Sequence, residues 1–273
     1  MRRTKKRQAY TGKDLLILVL LTVVICETAL LALLLLKKAR PSAEPEAPIV
    51  AVKKPKIAIV LDDWGYNLKN QQFLESVDFP ITISVLPFLP YSKKIVEVAS
   101  QGNVEVMLHL PLEPHYKAEI GLERYVVFVD MEYKRIQQII DDAIRNLGGV
   151  SGVSNHMGSK ATEDASTMEA VYRILKQKNL YFLDSRVTPD SICQDAAKKV
   201  GIKFTQRSVF LDNKANREYI QSQIDTLIAK AQKEGKAIGI GHDRVLTLEV
   251  IKECFQDLNN GDFELVFVSD LVE

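Results

Sequence analysis

Residues 57–66 read IAIVLDDWGY, five apolar residues followed by two carboxylates and an aromatic-glycine-aromatic turn. A run this short and this rich in Ile and Val is the mark of a strand buried on both faces, as in parallel sheets covered by helices. The pattern recurs down the chain. Further strands are expected at Ile81–Leu86, Val104–His109, Gly152–Asn155, Tyr181–Asp184, Ile202–Thr205, Ala237–Gly241 and Leu265–Val268. Between them lie helical patterns at Tyr91–Ser100, Glu132–Asn146, Ser166–Gln177, Ser191–Val200, Arg217–Glu234 and Val245–Leu258. The second of these carries Ile136, Ile139, Ile140, Ala143 and Ile144 at helical spacing, and Gly201 and Gly235 stand where two helices should stop. Alternating strands and helices predict an α/β domain with a parallel sheet. Seven or eight such units point to a closed or nearly closed barrel, with an open doubly wound sheet as the alternative.

Chemistry collects at the strand ends. The first strand finishes in Asp62-Asp63, and three of the four histidines, His109, His156 and His242, also end or directly follow strands. In barrels and open α/β sheets these C-terminal ends converge on one face, where sites are built. Imidazole and carboxylate together suit a divalent metal, and a catalytic zinc commonly keeps three protein ligands. A second carboxylate beside such a centre can take a proton from water, and a histidine can protonate a leaving group. The spacings between these histidines match no local metal motif, so the site depends on the fold. His115 sits beyond two prolines and reads as a loop residue.

Upstream, residues 15–36, LLILVLLTVVICETALLALLLL, form one apolar run. As a helix it would span roughly 33 Å, enough for a hydrocarbon core of about 30 Å. It is longer than the apolar region of a signal peptide and passes straight into Lys37-Lys38, which favours an uncleaved anchor. Arg2, Arg3, Lys5, Lys6, Arg7 and Lys13 crowd its N-terminal side, so residues 1–14 read as a cytoplasmic tail and the following domain as extracytoplasmic. Glu27 lies near the middle of the run, an expensive position for a charge. Residues 37–55 form a Pro-rich linker to a domain over 56–273.

With 47% hydrophobic and 26% charged residues the composition is that of a folded globular chain, and a net charge of +1 without a basic, aromatic-interleaved patch argues against nucleic acid. Cys193 and Cys254 are far apart in sequence and are expected as free thiols rather than a disulfide framework.

The segments IAIVLDDWGYN, ITISVLPFLPYS, VMLHLPLEP, SNHMGSKAT, YFLDSRVTPDS, VFLDN and GIGHDR resemble, in order, those of the divergent polysaccharide deacetylases, relatives of the NodB-type carbohydrate esterases. The resemblance covers the chain from about residue 56 onward. It implies a deformed (β/α) barrel, a divalent metal such as Zn²⁺, and hydrolysis of acetyl groups on a polysaccharide. Carried onto this sequence, it makes Asp63, His109 and His156 metal ligands, Asp62 the base and His242 the acid. Asp184, Arg207 and Asp212 would support them, and Trp64 leads a set of strand-end aromatics (Tyr66, Phe88 and Tyr91 are the others) on which a sugar could stack. The chain lacks the HxxxH pair of the better-characterised esterases. The expected function is therefore a membrane-anchored, metal-dependent deacetylase of an envelope or extracellular glycan. The alternative is a catalytically inactive glycan- or metal-binding module.

Overall fold

A computed structural model describes residues 11–38, 54–117, 125–255 and 262–273. Most of the expected tail, most of the linker and the expected end of the last helix at Leu258 lie outside the described residues. The chain divides into two compact units, Met1–Val52 and Lys53–Glu273.

In the first unit, α1 runs Gly12–Lys38 and is long and apolar enough to cross a membrane, with a mean hydropathy of 2.7 over its most apolar window. Thr11 receives it, its backbone N–H and its hydroxyl both donating to Asp14 Oδ2. The hydroxyls of Thr22 and Thr28 turn back onto carbonyls of the preceding turn, Leu18 and Val19 for one and Val24 and Ile25 for the other. Two polar side chains are thus satisfied within the helix, as an apolar solvent requires.

The second unit alternates strand and helix. Its elements are β1 (Lys56–Trp64), α2 (Gln71–Ser76), β2 (Ile81–Val85), α3 (Ser92–Ala99), β3 (Val104–Leu112), α4 (Tyr133–Leu147), β4 (Gly152–Met157), α5 (Ala165–Gln177), β5 (Tyr181–Asp184), α6 (Cys193–Val200), β6 (Phe204–Gln206), β7 (Val209–Phe210), α7 (Arg217–Glu234), β8 (Lys236–His242), α8 (Val245–Phe255) and β9 (Glu264–Leu265). The helices start and stop on local chemistry. Asp164 accepts from Thr167 N at the head of α5 and Asn216 from Tyr219 N at the head of α7. Gly201 and Gly235 end α6 and α7 in the left-handed conformation that glycine adopts without a Cβ clash.

All ladders are parallel, in the order β6-β5-β4-β3-β2-β1-β8-β7, with β9 paired to the start of β1. The two ends of this order, β6 and β7, are consecutive in the chain. Arg207 N donates to Asp184 O on β5, and its neighbour Ser208 N donates to Ile238 O on β8. One segment therefore stitches both edges, and the sheet curls into an incompletely closed barrel with its seam at Arg207–Ser208. The open doubly wound alternative is set aside, because its edges would lie far apart.

Side chains alternate across this sheet with period two. Ile57, Ile59 and Leu61 of β1, Ile81, Ile83 and Val85 of β2, and Val106, Leu108 and Leu110 of β3 join the core under the helices. Ala58, Val60, Met107, Tyr181, Leu183, Ile238 and Ile240 fill a second, smaller core that also takes in Val266, Val268 and Leu271 from the C-terminal segment. Tyr181 lies across Gly152, where an added Cβ would meet its ring at 2.4 Å, so glycine at that position makes room for the aromatic plug. At the lower end of the same interior, Glu105 Oε2 accepts from Thr82 Oγ1 (2.9 Å), Tyr181 Oη (3.0 Å) and Ser269 N (3.3 Å).

Several expected bounds shift by one to three residues, as where β1 runs on to Trp64 and β3 to Leu112, and four differences matter more. The strand expected at Ile202–Thr205 begins at Phe204, and the one expected at Leu265–Val268 stops at Leu265 because a 3₁₀ turn takes Val268–Asp270. β7 and α2 were not anticipated, since two residues and six residues give too little periodicity to read. The three cysteines are free. Burial beside Asp184 pushes the Cys193 thiol up to about 12, so it stays protonated at neutral pH.

Candidate metal centre

The interior row that holds Val60 on β1, Met107 on β3 and Ile240 on β8 continues two residues further to Asp62, His109 and His242. The period of the pleat therefore sets all three at one end of the barrel interior. Asp62 and His242 are direct ladder partners. His156 follows Ser154 by the same step on β4.

Asp63 reaches this group through a bulge. Leu61 pairs with Ile83 but Trp64 pairs with Val85, so β1 carries one residue more than β2 over this stretch. The extra residue is Asp63, at φ +70°, a conformation that Asp tolerates better than bulkier residues. Adjacent acids in a regular strand would face opposite ways, and the bulge lets both serve one site.

Asp63 Oδ1 lies 3.3 Å from His109 Nε2 and 3.1 Å from His156 Nδ1. One ligand atom from each of Asp63, His109 and His156 falls within 4.8 Å of the others. Two imidazoles and a carboxylate at this separation fit a divalent ion with three protein ligands and an open position. His109 is oriented for the task, since its other nitrogen, Nδ1, meets Ser154 Oγ at 2.7 Å. Burial is the largest influence on the Asp63 carboxyl and raises its pKa. The hydrogen bonds and charges of His109 and His156 outweigh it and hold the group well below the usual range, ready as an anionic ligand.

Asp62 is buried, 3.8 Å from His109 Nε2 through Oδ2. Its Oδ1 has no hydrogen-bond partner among the described residues. Burial raises its pKa, against the pull of His109, His242 and the Ser84 hydroxyl. His242 is held by Asp212, which accepts from His242 N at Oδ2 (3.0 Å) and meets Nδ1 at Oδ1 (2.8 Å). Thr247 Oγ1 also donates to Asp212, and Arg244 donates to its carbonyl. Burial works to discharge His242, but the Asp212 hydrogen bond and charge, with Asp63 and Asp62 beyond, raise its pKa. Asp212 is correspondingly lowered: burial would raise it, and the bond to His242 prevails.

The His242 ring stacks on Phe210 at 5.7 Å and 9°, and the Arg207 guanidinium covers Phe210 at 4.0 Å. Arg207 also donates to the carbonyls of Ser185 and Arg186, which fixes it at the barrel seam.

Two expected site residues lie elsewhere. Asp184 shares a face with Phe182, whose ring packs under the helices, and not with Leu183 of the interior. Its carboxylate accepts from Arg186 N (2.8 Å) and Ser191 Oγ (2.7 Å), so it ties down the loop leading to α6 and holds no histidine of the group. Trp64, expected as a sugar-stacking ring, has 0% exposure. The bulge returns it to the outer face beside Val85, and a ring wholly inside the core offers nothing to a sugar. Ser154 and Phe210 were missed. Ser154 is His109's ladder partner, and only the strand register reveals that.

Comparison with known proteins gives this arrangement a context. The divergent polysaccharide deacetylase family model matches residues 59–272. The uncharacterized protein YibQ of Escherichia coli is 34% identical over 230 residues, which are 83% of this chain and 71% of that protein. An uncharacterized protein of Haemophilus influenzae is 32% identical over 217 residues, 79% of this chain and 76% of its own. The crystal structure of an uncharacterized protein from Agrobacterium tumefaciens shares the fold, with a TM-score of 0.76 at 22% identity over 86% of this chain and 94% of that one. The chain belongs to the divergent polysaccharide deacetylase family.

Proposed function

We propose that this family member is a membrane-anchored hydrolase that uses a divalent metal, zinc by its donor set, to remove acetyl groups from an envelope or extracellular polysaccharide. The observation that carries the proposal is the convergence of Asp63, His109 and His156, with Asp62 and His242 paired on adjacent strands beside them. An ion held by those three ligands would lend Lewis acidity to the acyl carbonyl oxygen. The chain's own groups supply the proton traffic. The unpartnered Asp62 Oδ1 takes the proton of the attacking water, and the upward shift that burial gives its pKa strengthens it as a base. Because Asp212 occupies His242 Nδ1, the proton that the imidazolium can give sits on Nε2, and it passes to the departing amine or alcohol as acetate is released. Phe210 and Arg207 keep the imidazole plane fixed during the transfer.

Anchoring rests on α1 and on the basic residues that crowd its N-terminal side, which orient the domain to the extracytoplasmic face. The length of the run and its unbroken passage into Lys37-Lys38 support an uncleaved span over a signal peptide.

The test is acetate release from acetylated glycans by the full-length protein in detergent. Chelation should abolish release and added Zn²⁺ restore it, and both Asp63→Ala and His156→Ala should be inactive yet folded. Release that survives both substitutions would remove this site from consideration. Stoichiometric metal uptake without turnover of any acetylated glycan would leave a binding module in its place.

A further inference from the structure

With Trp64 inside the core, the domain still presents aromatic rings at the site end of the barrel. Phe88 and Tyr125 meet with ring centroids 4.5 Å apart and planes tilted by 45°. Tyr125 is 41% exposed, and the neighbouring Tyr91 is 40% exposed. Both members of the pair adopt positive φ, +63° at Phe88 and +65° at Tyr125. Bulky residues rarely adopt that conformation, which turns can require and which also clusters at active sites and ligand clamps. Here Asn146 of α4 enforces it in part, its Oδ1 accepting from Phe88 N at 2.9 Å.

The two rings come from segments joined to two of the three strands that supply the metal centre. The loop carrying Phe88 is fastened to the residues directly after Asp63, because Leu86 N donates to Trp64 O and Tyr91 N to Gly65 O. The segment carrying Tyr125 is fastened to the strand that carries His109. Val127 bridges Leu112 in parallel, with Val127 N donating to Pro111 O and Glu113 N to Val127 O. β2 stops at Val85, paired to Leu108, and this segment pairs with β3 beyond that point. The ring pair therefore stands over the end of β2, between the strand of Asp63 and the strand of His109.

We propose that Phe88 and Tyr125 form a sugar-stacking subsite, which seats a pyranose ring of the polysaccharide chain next to the acetylated residue. A pyranose has an apolar C–H face, and an aromatic ring offers it a flat apolar surface with the negative side of its quadrupole outward. Stacking of this kind favours a chain of sugars over a small acetyl ester, since only the chain reaches both the platform and the metal centre. The proposal rests on the deacetylase reading for the identity of its ligand, and its test separates the two.

Full-length protein in detergent is titrated with soluble N-acetylhexosamine tetramers and O-acetylated neutral tetramers, by a binding measurement that needs no turnover. Acetate release from the tetramers and hydrolysis of a small aryl acetate are followed in parallel. Tyr125→Ala should weaken binding of one tetramer class about tenfold. It should raise KM for that tetramer to match, with kcat and aryl acetate hydrolysis unchanged. Tyr125→Phe should restore binding to within about twofold of the native protein, because the ring remains. Phe88→Ala should act in the same direction, and Tyr125→Ala carries the test because Phe88 also packs on the core. Native-like tetramer binding by Tyr125→Ala, or equal loss in Tyr125→Phe and Tyr125→Ala, overturns the subsite. So does a native protein that binds neither tetramer. Tetramer binding that depends on Tyr125 without acetate release from any substrate keeps the subsite and overturns the deacetylase reading instead.

Discussion

The barrel interior holds a buried carboxylate at each end, and the two are treated in opposite ways. At the lower end, Glu105 gathers the hydroxyls of Thr82 and Tyr181 and the N–H of Ser269 on one oxygen. At the upper end, Asp62 keeps Oδ1 without a partner among the described residues, although it is just as buried. A satisfied carboxylate inside a protein stabilises what surrounds it, whereas an orphaned one costs stability and stays free to react. The lower acid fastens the C-terminal segment into the barrel. The upper one is left available to a substrate or a proton.

Exchanging the two roles by mutation should separate activity from stability. The largest effect is expected from Asp62→Asn, which keeps shape and removes the base. Acetate release should fall by about 10³-fold. Metal-free Asp62→Asn should nevertheless melt higher than the native chain at neutral pH. The folded pKa of Asp62 lies above its unfolded value, so the native chain loses stability as pH rises from the unfolded value through the folded one, and the amide does not. Glu105→Ala should do the reverse. The buried hydroxyls of Thr82 and Tyr181 and the N–H of the exposed Ser269 lose their acceptor, at a cost of about 3 kcal/mol in chemical denaturation, with kcat per folded molecule unchanged.

Asp212→Asn comes next, at about 10²-fold in kcat. His242 has a raised pKa, so its imidazolium persists above 6.5 and is lost as pH rises through the folded value. Asp212 is lowered, so its contribution holds above 3.8 and fades as pH falls through its folded value. The pair stabilises the fold between those limits, and the alkaline limb of the activity profile should move toward acid in Asp212→Asn. An unmoved limb would assign the acid to another group. The smallest effect belongs to Ser154→Ala, which frees His109 Nδ1 and should weaken metal affinity about tenfold, measured by chelator competition.

Much of this was readable in the sequence, for a physical reason. Strands covered on both faces are continuous apolar runs, so their ends show wherever the first charge or histidine appears, as at Asp62, His109 and His242. What stayed hidden depends on counting across strands. Asp184 ends its strand on the helix side, with Phe182, and a strand end alone does not tell the faces apart. Trp64 went into the core because a bulge intervenes, and a bulge leaves no mark on composition. Ser154 meets His109 only through the β3–β4 register. The seam at Arg207–Ser208 escaped for the same reason, since its two bonds join strands remote in sequence.

The bulge in β1 has a consequence for what the sheet requires. Leu61 and Trp64 keep their places opposite Ile83 and Val85, with Asp62 facing inward between them, whether or not Asp63 is present. Counted along the ladder, Asp63 is surplus. A chain without it would regain an unbroken strand, keep its tryptophan in the core, and lose the one carboxylate on which His109 and His156 converge. The architecture and the candidate site are thus separable at a single residue, and deletion of Asp63 is expected to leave a folded barrel in which His109 and His156 no longer share a carboxylate.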